Sequence, residues 1–128
     1  MSRRAWIVDG YAHMAGPAGT MLRDHDFRSV QHMTTEFEAL QALASGAKLP
    51  DLIMLASDLP DGHGLNVLKS LQKMPTRSET KVVFYAIEHD TYATREAKEL
   101  GADAVMQTRR FDEAVLASAL VEAGLLAH

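Results

Sequence analysis

The chain contains no cysteine. That excludes a disulfide, a thiolate zinc site and a cysteine nucleophile. No apolar run approaches the roughly 18 residues of a membrane span, so no membrane association is expected. Behind the basic Met1-Ser2-Arg3-Arg4, only Ala5-Trp6-Ile7-Val8 precedes Asp9. This is too short for a signal-peptide core, and a cytoplasmic protein is expected. Positive charge is not in excess: 13 Lys and Arg stand against 17 Asp and Glu, for a net charge of −4. A global electrostatic footprint for nucleic acid is therefore absent. No P-loop or dinucleotide glycine pattern occurs. No G-x-S-x-G elbow surrounds Ser57, so Ser57 and His63 do not read as a hydrolase pair. No enzymatic activity is expected, which leaves open a protein that works by docking to another.

What is present is a regular alternation of short apolar runs and amphipathic segments. The 128 residues suffice for a single domain over 1–128 that buries roughly two-thirds of its unfolded surface. Ala5–Val8, Leu52–Ala56 and Lys81–Ile87 read as buried strands, Phe27–Met33 as a half-exposed edge strand, and Ala104–Met106 as a short last strand. Helices are predicted between them. The first, Ala12–Asp24, should start late or kink, because Gly16-Pro17-Ala18-Gly19 weakens it. Thr35 and Glu38 suggest a capping box for a helix with Phe37, Leu40 and Ala44 on its apolar face. Leu65, Leu68 and Leu71 form a third stripe, ended by Pro75. Asp90 or Thr91 can cap a fourth helix that Gly101 closes. Asp112 and Glu113 open a fifth, with Val115, Leu116, Ala119, Leu120 and Ala123 facing the core. Five βα units imply an α/β fold: a doubly wound parallel five-stranded sheet in the order 2-1-3-4-5. Ligands of such sheets bind at the carboxyl ends of the strands, which puts Asp9, Ala56 and Asp58 at one rim.

The run Leu52–Ala56 followed by Ser57-Asp58-Leu59-Pro60-Asp61-Gly62-His63-Gly64, together with Gly101-Ala102-Asp103-Ala104, resembles the receiver domains of two-component response regulators. Nearly the whole chain is covered. The resemblance implies a flavodoxin-like, CheY-like fold and a role in phosphorelay signalling. In that family the strand ends in a phosphate-accepting aspartate four residues before the proline, with a glycine four residues after it. Pro60 and Gly64 fit the frame, and Ala56 stands at the acceptor position. The family's second acidic residue after strand 1 is Gly10 here. The hydroxyl residue ending strand 4 is Ala86, and the aromatic on strand 5 is Val105 or Met106. The lysine after strand 5 is Thr108 or Arg109, and the proline behind it is missing. Aspartyl phosphorylation needs a nucleophile, a divalent ion and fixed donors for the leaving charge. With the nucleophile gone, the remaining groups would only cost desolvation energy if buried unpaired. The resemblance thus implies a degenerate receiver, a pseudo-receiver without a catalytic residue, and no cofactor.

Several side chains have a sharper and a plainer reading. Asp58 lies two residues beyond Ala56, so in continued strand conformation both would point the same way. It could be a substitute phosphoacceptor or share a weak metal site with Asp9. The plainer reading, a solvated loop carboxylate, is preferred, because two loop carboxylates do not fix the near-octahedral ligation of Mg²⁺. His13, His63 and His89 follow three strands and with Asp9 could bind zinc or nickel, but they lack motif spacing and read as loop histidines. Arg109 and Arg110 could bind the phosphates of a cyclic dinucleotide, against a solvated surface pair. The expectation is a docking module for another signalling protein, or for a second copy as a dimer. Its face would be helix 4, strand 5 and helix 5, with Tyr92, Arg95, Lys98, Val105, Gln107, Arg109 and Arg110.

Overall fold

A computed structural model describes residues 3–86, 90–107 and 112–127, without the side chains of residues 12–14. Five parallel strands form one sheet: β1 (Arg3–Val8), β2 (Phe27–Met33), β3 (Leu52–Ala56), β4 (Lys81–Ala86) and β5 (Ala104–Gln107). Their spatial order is β2-β1-β3-β4-β5, as the alternating pattern predicts. The helices are α1 (Ala12–Asp24), α2 (Glu36–Ala44), α3 (Gly64–Leu71), α4 (Thr91–Glu99) and α5 (Glu113–Glu122). No helix among the described residues is long and apolar enough to cross a membrane.

The central strands are buried end to end. Every residue of β3 is covered, as are Val82 to Ala86 of β4, which is what helices on both faces require of a parallel sheet. β2 lies at the edge, and Arg28, Ser29, Gln31 and His32 are exposed. The predicted helix stops Gly46 and Gly101 adopt φ of +77° and +96°, a region an L side chain rarely enters.

Local chemistry corrects two helix readings. α1 does not start late; it begins at Ala12. Pro17 sits in its second turn, where it forfeits one backbone bond. The buried Ala15, Ala18 and Leu22 supply packing that outweighs that loss. On α2 the buried residues are Ala39 and Leu43, not the predicted Phe37, Leu40 and Ala44. Phe37 is 65% exposed. Rotation of the helix follows from its anchoring. Thr35 Oγ1 accepts from Glu38 N at 3.0 Å, and the Asp61 carboxylate accepts from the backbone N–H of Glu36 (2.7 Å) and Phe37 (3.0 Å). These bonds fix the first turn from both sides.

Candidate functional site around Asp9

β1 ends one residue before Asp9, and β3 ends at Ala56. The register pairs Val8 with Leu55 and Ala56 with Tyr85. Asp9, Ala56 and Tyr85 therefore form one row across three strands. In a parallel sheet the members of such a row share a face. Asp9 and Tyr85 stand two strand spacings apart, roughly 10 Å between backbones. The Tyr85 hydroxyl nevertheless donates to Asp9 Oδ2 at 2.7 Å. Its side chain must pass over position 56, where only a methyl group stands.

Asp9 is 1% exposed, and each of its polar groups is engaged from within the chain. Oδ1 accepts from Tyr11 N at 2.8 Å. The backbone N–H donates to Met33 O at 3.0 Å. The carbonyl accepts from His32 Nε2 at 2.7 Å, which assigns that nitrogen its proton. Burial first, then the adjacent Asp9 carboxylate, hold the Tyr85 phenol well above its ordinary value of 10.0, so it remains a hydrogen-bond donor at neutral pH.

The neighbouring positions are tightly packed. A Cβ on Gly10 would lie 2.5 Å from the Pro60 ring and 3.0 Å from Thr34 O, so no carboxylate fits beside Asp9. Ala86 is buried and carries no polar group. A Cβ on Gly64 would come 2.0 Å from Ala56 O, so only glycine lets the α3 N-terminus approach β3. Gly64 N then donates to Ser57 O at 2.8 Å. One buried carboxylate, already bonded twice, does not suit Mg²⁺, which demands near-octahedral oxygen ligands.

Asp58 takes the plainer of its two readings, an exposed carboxylate outside β3. β3 stops at Ala56, and Asp58 pairs with His63 in a separate antiparallel ribbon, Asp58–Leu59 with Gly62–His63. Strand alternation is broken at Ser57, and Asp58 is exposed. His63 is no free ligand either: its Nδ1 accepts from Leu65 N at 3.1 Å and caps α3. Among the described residues, no three His, Asp or Glu side chains lie where they could hold a metal ion. The His13 side chain, His89, Thr108, Arg109 and Arg110 lie outside the described residues. Trp6 is buried on β1; by strand alternation it points to the face opposite Asp9.

The ribbon is latched to α2. Glu36 Oε1 accepts from His63 N and from Asn66 Nδ2, each at 2.9 Å. Asp61 returns the contact by capping the Glu36 and Phe37 N–H groups. Those backbone bonds lower the Asp61 carboxyl below its ordinary range.

The family model of the response regulator receiver domain matches residues 5–120. The chain belongs to this family. This receiver is therefore a component of two-component signalling. Among solved structures it is similar to a putative response regulator from Chloroflexus aurantiacus J-10-fl. That pair has TM-score 0.81 and 20% identity, covering 97% of this chain and 99% of that one. It is also similar to a CheY-like receiver domain from Methylobacillus flagellatus, with TM-score 0.78 and 24% identity over 96% and 99% of the two chains. A third similar structure is the phosphorylated cyanobacterial phytochrome response regulator RcpA, with TM-score 0.70 and 18% identity over 98% and 91%. No curated protein gives a significant match.

On the receiver's far edge, Tyr92 of α4 is 68% exposed, and Arg95, Lys98 and Gln107 are exposed beside it. The buried side of α4 is small, with Ala93, Thr94 and Ala97. Between β5 and α5 runs a groove of about 330 Å³ whose walls include Val105, Val115, Ser118 and Glu122. Sequence reading missed Tyr85. Its signal was a tyrosine near the end of an otherwise aliphatic and phenyl strand, where a buried hydroxyl needs a partner.

Proposed function

We propose that this receiver is a phosphorylation-independent docking module that presents α4, β5 and α5 to another signalling protein. The bond from Tyr85 to Asp9 across Ala56 carries this reading. Phosphoryl transfer needs a free nucleophile and a metal to neutralise oxygens. Here a methyl group holds the nucleophile's position, and a phenol is bonded to the remaining carboxylate. A receiver without that switch binds its partner in one state, since a ligand shifts a conformation only through differential affinity. The exposed Tyr92 and Arg95 are of the residue types enriched at protein interfaces.

The test is titration of isotope-labelled protein with Mg²⁺ and beryllofluoride, followed by amide shifts. Amides of Asp9, Ala56 and Ser57 should stay unmoved at concentrations that saturate a phosphorylatable receiver. Saturable shifts that need both ions and disappear in Asp58→Ala would replace this reading with phosphotransfer through Asp58.

A further inference from the structure

The row of Asp9, Ala56 and Tyr85 does more than close a site. Asp9 Oδ2 takes the Tyr85 hydroxyl at 2.7 Å, while Oδ1 of the same carboxylate takes the Tyr11 amide at 2.8 Å. The second bond is the i to i+2 geometry of an Asx turn. It sets the course of the chain from β1 into α1, because Tyr11 is the N-cap residue of that helix and no side-chain bond caps it there. Tyr85 is 3% exposed, whereas Tyr11 is 48% exposed. A buried residue on β4 is thus joined, through one carboxylate, to an exposed aromatic ring at the start of α1. A carboxylate held at one oxygen only rotates about its χ2 torsion, which is a soft one. Held at both, it has a single orientation.

We propose that Tyr85 is a positioning residue that acts as an internal latch. Its hydroxyl orients the Asp9 carboxylate, and that carboxylate fixes Tyr11 and the start of α1 in one conformation. The latch occupies the place where the rest of the family carries a switch, and it rests on the reading that this rim takes no phosphoryl group. Ala56 is part of the device, since the phenol crosses its position. The surface around Tyr11 is then constant rather than signal-dependent.

Amide hydrogen exchange on the whole chain tests this, in Tyr85→Phe, Asp9→Ala and the double variant. Tyr85→Phe keeps the ring and removes only the hydroxyl. Exchange at Tyr11 should accelerate roughly tenfold or more, the scale of one charge-assisted hydrogen bond, through a local opening that does not depend on denaturant, while Leu55 in β3 follows the fall in global stability. The double variant should exchange at Tyr11 no faster than Asp9→Ala, because both changes break one chain of contacts. Unchanged exchange at Tyr11 in Tyr85→Phe, with acceleration in Asp9→Ala, would show that Asp9 holds Tyr11 unaided and overturn the latch. Acceleration at Tyr11 that shares the denaturant dependence of Leu55 would also overturn it, by reducing the bond to a share of global stability. Neither result would change the response to beryllofluoride, so failure of the latch is distinct from failure of the docking reading.

Discussion

Replacing Tyr85 by phenylalanine isolates one hydroxyl in the core of this receiver. The ring packing survives, and Asp9, only 1% exposed, loses the donor to its Oδ2. A hydrogen bond to a buried charged group contributes about 2 kcal/mol. For a chain of 128 residues, unfolding entropy of roughly 2.1 cal/mol/K per residue converts that into a fall in Tm of about 7 °C. The pH dependence gives a second, sharper signature. Burial and the Asp9 carboxylate raise the folded phenol well above 10.0, while the unfolded phenol keeps its ordinary value. Below pH 10 both states carry the proton and the stabilisation is complete. Above it the unfolded chain binds fewer protons, so stability is lost as the pH rises through the folded value. Denaturant unfolding of wild type and Tyr85→Phe from pH 7 to 11 measures both effects. The gap between the two proteins should be widest near neutrality and close at the alkaline end. A gap that stays constant across this range would refute the assignment of the hydroxyl as a proton-bearing donor to Asp9.

Other consequences follow from the same contacts. Gly64→Ala drives a methyl group into Ala56 O and should destabilise the fold by about 3 kcal/mol or abolish it, measured as a loss of denaturant midpoint at unchanged slope. Thr35→Ala removes the α2 cap and should cost about 1 kcal/mol in the same assay. Asp61→Asn should accelerate amide exchange at Glu36 and Phe37 near neutral pH. In the wild type that protection should hold above the ordinary carboxyl value of 3.8 and fade as the pH falls through the lowered folded value. Ala56→Asp restores the acceptor's chemistry but puts a carboxylate in the path of the phenol, beside a buried Asp9. It should lower stability by several kcal/mol and gain no phosphate from acetyl phosphate by intact mass.

The fold was legible because each level of the chain agrees with the next. Apolar runs of strand length alternate with helical stripes, and Gly46 and Gly101 mark helix ends where positive φ is required. Pro60 and Gly64 set the frame around Ala56, and both prove to be contact points, Pro60 on Gly10 and Gly64 on Ala56 O. That Ala56, Gly10 and Ala86 stand at or beside the carboxyl rim of the sheet could be read from the order of the elements. The contacts around them could not. The partnership of Tyr85 with Asp9 depends on a register that aligns three strands, and residue spacing carries no register across 76 positions. Phe37 misled for a related reason. Its spacing suits a buried stripe, but α2 packs mainly on α3 and is held in rotation by Asp61, a residue 24 positions away. Asp58 reads as a solvated carboxylate and is exposed, but the ribbon that carries it is set by a pairing with His63 that spacing from Ala56 does not reveal.

The most direct test of the central claim is intact-mass spectrometry of the receiver after incubation with acetyl phosphate and Mg²⁺, wild type beside Asp58→Ala. The account predicts no added phosphate in either protein, together with unchanged binding of its signalling partner before and after the treatment. A Mg²⁺-dependent gain of one phosphate in the wild type that is absent in Asp58→Ala would contradict it.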